Sequence, residues 1–249
     1  MRLVQITDAH LYADKQARSR AGVPWHHLQR VLQAVIAEQP DFVVLTGDVS
    51  QDETATSYAL ASEAMSQLPC PWAWMAGNHD QPVLMQGEHP LVDEVSLPPW
   101  RLLLLHTPVE GKPYGELGRD ALAGLSAKLE GDRRPTLIAM HHPPVGVGAS
   151  WMDAIGLQDR DAFWEVISAF PQVKVILFGH AHQIYSQQVS RHDAVSSEQG
   201  VMVYGCPAIS DQFMPGATHF MIDEASRPGY RIVDFQDQQW ETRVERVTV

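Results

Sequence analysis

The chain has 249 residues, 45% hydrophobic and 19% charged, proportions that suit a globular fold with a sizeable core. Its formal net charge of -12 repels phosphate backbones, which excludes an extended nucleic-acid binder, and no apolar stretch approaches the roughly 20 residues of a membrane helix. The N-terminus runs into a strand without the pattern of a secretory leader, and Cys70 and Cys206 lack C-x-x-C spacing, so a cytoplasmic protein with two free thiols is expected.

In chain order, Leu3–Thr7 reads as a strand that opens into Asp8-Ala9-His10. The short basic cluster Lys15, Arg18 and Arg20 follows, a solvated loop or the lip of a site. Trp25–Gln39 carries Leu28, Val31, Leu32, Val35 and Ile36 on one helical face, with Pro24 in the first turn and Pro40 at the stop. Asp41–Thr46 is a β-branched run suited to a strand buried on both faces, and it ends in Gly47-Asp48. An Ala-rich helix over Thr54–Leu68 leads to a third strand, Trp72–Ala76, and to Gly77-Asn78-His79-Asp80.

The second half is richer in strands. Arg101–Leu105 and Thr136–Met140 flank a short helix near Asp120–Leu129, and the second of these strands ends in His141-His142. The segment Gly146–Gly156 lacks periodicity and reads as a loop walling a site. A helix over Asp159–Phe170 precedes the strand Val173–Phe178, which ends in Gly179-His180-Ala181-His182. Antiparallel strands are expected over Ile184–Val189, Val201–Tyr204, His219–Ile222, Tyr230–Phe235 and Glu241–Val247. The whole predicts an α/β protein of mixed sheets, a four-layer αββα sandwich. One domain spans 1–249, with a core over about 1–183 and strands of 184–249 completing the second sheet.

Six of the twelve histidines fall in the five polar motifs that follow apolar runs. Asp8 and His10, like His180 and His182, are two apart, so each pair can face one way at a strand end. Asp48 offers two oxygens able to bridge two metals, Asn78 a neutral oxygen, and His141 a further imidazole. Oxygen and nitrogen donors without thiolate suit Mn, Fe or Zn better than Ca or Mg. Gly47, Gly77 and Gly179 precede these residues, as in tight turns that glycine adopts cheaply. Singly, Asp8, Asp48 and Asn78 would read as turn or cap residues; the set reads as a metal site. His142 should point away from His141, and His26, His27, His89, His106, His192 and His219 read as structural or solvated. Trp72 and Trp74 read as core, and Phe213 with Met214 as the floor of a base pocket.

These motifs, D-x-H, G-D, G-N-H-D, a later His and G-H-x-H, resemble the pattern of the calcineurin-like metallophosphoesterases, in order from Asp8 to His182. The likeness to the bacterial class III 3′,5′-cyclic-AMP phosphodiesterase branch covers nearly the whole chain, including Gly47-Asp48-Val49-Ser50-Gln51-Asp52 and Tyr114-Gly115-Glu116-Leu117. The resemblance implies the calcineurin-like fold and two metal ions, Fe and/or Mn with Zn as the alternative. Asp8, His10, Asp48 and His182 would hold the first, and Asp48, Asn78, His141 and His180 the second. The ions would lie about 3.5–4 Å apart around a hydroxide that attacks phosphorus. His79 would donate the proton to the leaving group, oriented by Asp80, and His10, Asn78, His79 and His182 would line the substrate-binding surface.

Phosphatases of this superfamily that take dianionic monoesters carry Arg beside the Gly-Asp and Gly-Asn-His motifs; Val49-Ser50-Gln51-Asp52 and Met75-Ala76 hold none. A small diester substrate is therefore expected, 3′,5′-cyclic AMP foremost. The alternatives are another metallophosphoesterase acting on a nucleotide-sugar or phospholipid-headgroup diester, and a non-catalytic binding scaffold. The related enzymes are often dimers, which suggests a homodimer without locating its interface.

Overall fold

A computed structural model describes residues 1–191 and 200–249, so His192 lies outside the described residues. Two sheets form the centre. The first contains β1 (Arg2–Ile6), β2 (Phe42–Thr46), β3 (Trp72–Met75), β10 (Gly229–Gln236) and β11 (Gln239–Arg246), in the order β11-β10-β1-β2-β3. The second contains β4 (Glu94–Leu97), β5 (Trp100–Leu105), β6 (Thr136–Met140), β7 (Val173–Phe178), β8 (Tyr185–Val189) and β9 (Val201–Gly205), in the order β4-β5-β6-β7-β9-β8. Strands β1, β2 and β3 run parallel, as do β5, β6, β7 and β9.

The alternation of each strand builds the layers. In β2, Phe42 and Val44 enter the space between the sheets with Leu102, Leu104, Leu137, Val175 and Leu177. Val43 and Leu45 face the opposite way, onto α1 (Pro24–Ala37) and α2 (Ala55–Met65), where they meet Leu28, Val31, Val35, Tyr58 and Met65. Pro24 starts α1, and the Thr54 hydroxyl caps α2 by accepting the Ser57 N–H at 3.2 Å. On the far side, α4 (Gly118–Gly131) and α6 (Arg160–Ser168) lay Leu122, Leu125, Leu129, Phe163 and Ile167 against Ile138, Met140, Ile176 and Phe178. The result is the expected four-layer αββα sandwich. Each fully buried Leu, Val or Phe of these layers contributes roughly 1.5–3 kcal/mol.

Several expectations are corrected. The C-terminal strands do not all complete the second sheet: β10 pairs with β1, and β11 with β10, in the first. Strand β9 lies between β7 and β8 and runs parallel to β7, so the late strands are not a simple antiparallel series. His219–Ile222 is no strand and contributes one isolated bridge, Ile222 to Phe213. Helices α3 (Pro82–Glu88) and α5 (Ser150–Asp153) and strand β4 are short elements that periodicity did not reveal, α5 lying within the expected loop. Among the described residues no helix is long and apolar enough to cross a membrane, and Cys70 and Cys206 are free thiols.

Candidate metal centre

The five motifs meet at one edge of the sandwich, where β1, β2, β3, β6 and β7 end. Asp8 and His10 lie beyond β1 rather than in it, and reach the site through left-handed backbone. Asp8, His10, Asp48, His180 and His182 have φ of 55°, 47°, 50°, 62° and 51°. The same-face parity of a strand is therefore not what orients them; each non-glycine residue instead accepts a conformation costing roughly 1 kcal/mol or more. Backbone bonds hold these turns: Asp8 N–H to Gly47 O at 3.0 Å, His10 N–H to Asp48 O at 3.0 Å, and Ser210 N–H to Asp8 O at 3.1 Å. Of the three motif glycines only Gly47 has positive φ, at 95°. Gly77 and Gly179 are needed for space, because a Cβ at Gly77 would strike the Asp48 carboxylate and one at Gly179 the Thr7 hydroxyl.

Two groups of donor atoms result. In the first, His182 Nε2 lies 3.1 Å from Asp8 Oδ1 and 3.3 Å from His10 Nε2, which is 3.6 Å from Asp48 Oδ2. In the second, His141 Nε2 lies 3.3 Å from Asp48 Oδ1 and 3.2 Å from Asn78 Oδ1. Asp48 thus turns one oxygen to each group. His180 stands beside the second, its ring centroid 5.1 Å from that of His141. His142 packs there too, 4.7 Å from His180, with Nδ1 2.8 Å from Thr107 Oγ1.

The outer nitrogens show which way the lone pairs face. His141 Nδ1 is 2.8 Å from Thr46 O and His182 Nδ1 is 2.7 Å from Asp211 O; a carbonyl only accepts, so both Nδ1 atoms carry protons. His10 Nδ1 meets Gln51 Oε1 at 2.9 Å. In the neutral ring each Nε2 then presents a lone pair to carboxylate and amide oxygens. Acceptors converging on acceptors, all buried or nearly so, are the donor set that a cation reconciles, and the carbonyl partners behind the imidazoles fix their orientation.

The charges agree. Burial opposes ionisation of Asp48, yet the charge and hydrogen bond of His141 hold it well below the usual carboxylate range. Asp8 is likewise lowered, His182 outweighing burial. Reciprocally, His141 rises to about 9 and His182 rises, the nearby carboxylates overcoming burial in both. Burial dominates at His10, which falls to about 4, and at His142, which falls to about 3. The two buried carboxylates thus favour positive charge beside them, on the imidazoles or on a bound cation.

His79 is half-buried, with its backbone N–H donating to Asp48 Oδ1 at 2.9 Å and its ring edge-on to His10 at 5.1 Å. The bonds of the Asp80 carboxylate run to backbone rather than to the His79 ring. The Asp80 N–H closes a turn onto Gly77 O at 3.2 Å, which aims the carboxylate inward, beneath the loops. There it accepts the N–H groups of Val49, at 3.0 and 3.1 Å, Ser50, at 3.0 Å, and Gly77, at 2.8 Å. Burial and the charge of Asp48 push it up to about 7 against those bonds.

A cavity of about 530 Å³ opens over the first group, lined by His10, His79 and His182 and by Tyr12, Arg18, Arg20, Phe213 and Phe220. The basic cluster thus contributes Arg18 and Arg20 to the lip, and Phe213 lies flat on His182, with centroids 3.9 Å apart and planes 5° apart. Gln51, Asp211 and Phe220 carried no signal that tied them to the motifs, apart from Gln51's place in the Gly-Asp stretch. His106 lies apart, beside Asp93, and His89 stacks on Trp72.

The sequence profile of the calcineurin-like phosphoesterase family matches residues 1–184. The 3′,5′-cyclic adenosine monophosphate phosphodiesterase CpdA of Pseudomonas aeruginosa is 35% identical over 253 residues, covering 98% of this chain and 89% of its own. Its Escherichia coli K12 counterpart is 31% identical over 261 residues, covering 99% and 90%. Among solved structures, a dimetal phosphatase from Danio rerio superposes with a TM-score of 0.71 over 99% of both chains at 13% identity, a likeness of fold.

Proposed function

The chain belongs to the calcineurin-like phosphoesterase family, and from that premise we propose that it hydrolyses a small phosphodiester at a two-metal site, 3′,5′-cyclic AMP to 5′-AMP foremost. The observation that carries this reading is the pair of buried acceptor groups sharing Asp48, one oxygen turned to each. Asp8, His10, Asp48 and His182 would hold one ion, and Asp48, Asn78, His141 and His180 the other. His142 lies close enough to the second group to steady it. Bound there, Fe, Mn or Zn supplies the charge that phosphate oxygens need and activates a water.

The protein's own groups do the rest. Gln51 and the carbonyls of Thr46 and Asp211 keep three imidazoles turned toward the centre. His79, anchored through its backbone to Asp48 and facing the cavity, protonates the departing ribose oxygen. Asp80 ties the Gly-Asp and Gly-Asn-His loops together from below, so that the donor atoms keep their spacing. The curated relatives named for cyclic-AMP hydrolysis, matched over nearly the full chain, support this substrate.

The test is product analysis with 3′,5′-cyclic AMP, with and without added Mn²⁺, with Asn78→Ala as control. Metal-dependent 5′-AMP that the variant does not form is the expected outcome. Hydrolysis of a generic aryl diester without any 5′-AMP would reject the substrate and keep the chemistry.

A further inference from the structure

We propose that Arg20 and Phe220 form the stacking platform that holds the heteroaromatic base of the diester. This inference rests on the two-metal diesterase reading. An aromatic wall starts at the metal centre and runs outward. Phe213 lies flat on His182, Phe220 stands edge-on to Phe213 at 5.2 Å, and Trp151 stands edge-on to both at 5.3 and 5.4 Å. The wall ends at the rim, where Phe220 is 43% exposed beside Met221, which is 40% exposed. Large apolar side chains left open at the mouth of a polar cavity are the part of such a surface that a ligand covers.

Arg20 covers Phe220 now, its guanidinium carbon 4.9 Å from the ring centroid. Among the described residues that guanidinium makes no ion pair, although the chain is acidic. A planar base can take its place on the ring, with the guanidinium closing over the base or bonding to its edge. There is room: a second cavity, of about 680 Å³, shares Arg20, Ser210 and Phe220 with the catalytic one.

The platform is tied to the metal centre through Asp211. Asp211 holds both ends. Its carbonyl accepts His182 Nδ1–H at 2.7 Å. Its carboxylate accepts Ser19 Oγ–H at 2.7 Å, the Ala21 N–H at 2.7 Å and the Arg20 N–H at 3.4 Å. The Arg20 guanidinium lies on the Phe220 ring, a placement that suits a planar base better than a second phosphate.

The experiment compares wild type, Arg20→Ala, Phe220→Ala and Phe220→Trp on three diesters: 3′,5′-cyclic AMP, thymidine 5′-(p-nitrophenyl phosphate) and the base-free methyl p-nitrophenyl phosphate. The expected result is a KM raised roughly 10-fold or more on the two base-bearing diesters by either alanine variant, with kcat little changed. On the base-free diester the change should stay below about threefold, and Phe220→Trp should restore the base-bearing KM. Equal effects on all three, no effect, or a wild type that prefers the base-free diester would overturn the platform. A wild type that cleaves the thymidine ester but not cyclic AMP rejects the substrate proposed above, and the thymidine ester then decides the platform. If no diester turns over, calorimetry of 5′-AMP binding to wild type and Phe220→Ala decides it: affinity lost in the variant supports it, equal or absent binding overturns it.

Discussion

Both carboxylate oxygens of Asp80 hold the Val49 N–H, at 3.0 and 3.1 Å, so the last residue of the Gly-Asn-His-Asp motif grips the backbone just after Asp48. Asp80→Asn keeps the shape but loses charge and one acceptor. We expect metal affinity to fall about 10- to 100-fold, with both ions affected because the Asp48 loop carries a donor to each. Metal titration followed calorimetrically measures this; unchanged affinity with only a slower reaction would return Asp80 to the role of orienting His79.

His79 offers no side-chain atom to either donor group, so His79→Ala should retain both ions. The rate should drop roughly 10²–10⁴-fold, the scale of a lost general acid. Metal analysis paired with steady-state rates separates the two effects. Near-normal turnover would remove His79 from the mechanism.

Asp48 is the acceptor common to both groups, at 3.6 Å from His10 Nε2 and 3.3 Å from His141 Nε2. Asp48→Ala should therefore empty both positions together. Elemental analysis after gel filtration reads the stoichiometry, and two tightly held ions in the variant would refute the sharing.

Away from the site, Asp132 gives a pH dependence of known sign. Its carboxylate accepts from Arg134 Nε at 2.9 Å, from a terminal guanidinium nitrogen at 2.7 Å and from the Arg134 backbone N–H at 2.9 Å, which lowers it to about 2 from an ordinary 3.8. Between those values the unfolded chain binds the proton and the folded chain does not, so the contribution is whole above about 4 and is lost as pH falls to about 2. Urea unfolding at stepped pH should give Asp132→Asn a shallower loss of stability than wild type across that window; parallel curves would mean that the pair contributes nothing.

The strands that end in motifs are legible because burial on both faces makes them largely apolar runs: Phe42–Thr46 and Val173–Phe178, broken only by Lys174, each end where a polar motif begins. Residue type and spacing likewise pick out the seven proposed ligands that the structure gathers. What the sequence hides is relational. The alternation in Tyr230–Phe235 shows a two-faced strand but not that its partner is β1, a choice made by register over more than two hundred residues of separation. Asp211 lies in a segment with no period and Phe220 in one that reads as a strand, and they matter only because the fold returns both over His182 and Arg20. Pro82 and Ser150 open helices too short for a pattern to repeat.

Five non-glycine residues at the centre sit in left-handed backbone, and all five are among the proposed ligands. Glycine would occupy those positions with less steric penalty. Backbone ease alone would place glycine at Asp8, His10, Asp48, His180 and His182, but would leave the His180 and His79 N–H groups without the carboxylates that now accept them. Side chains held there in strained backbone are a trade of conformational ease for a converging donor set. Descendants that retain the sandwich but have abandoned catalysis should be recognisable by relaxed turns at these five positions.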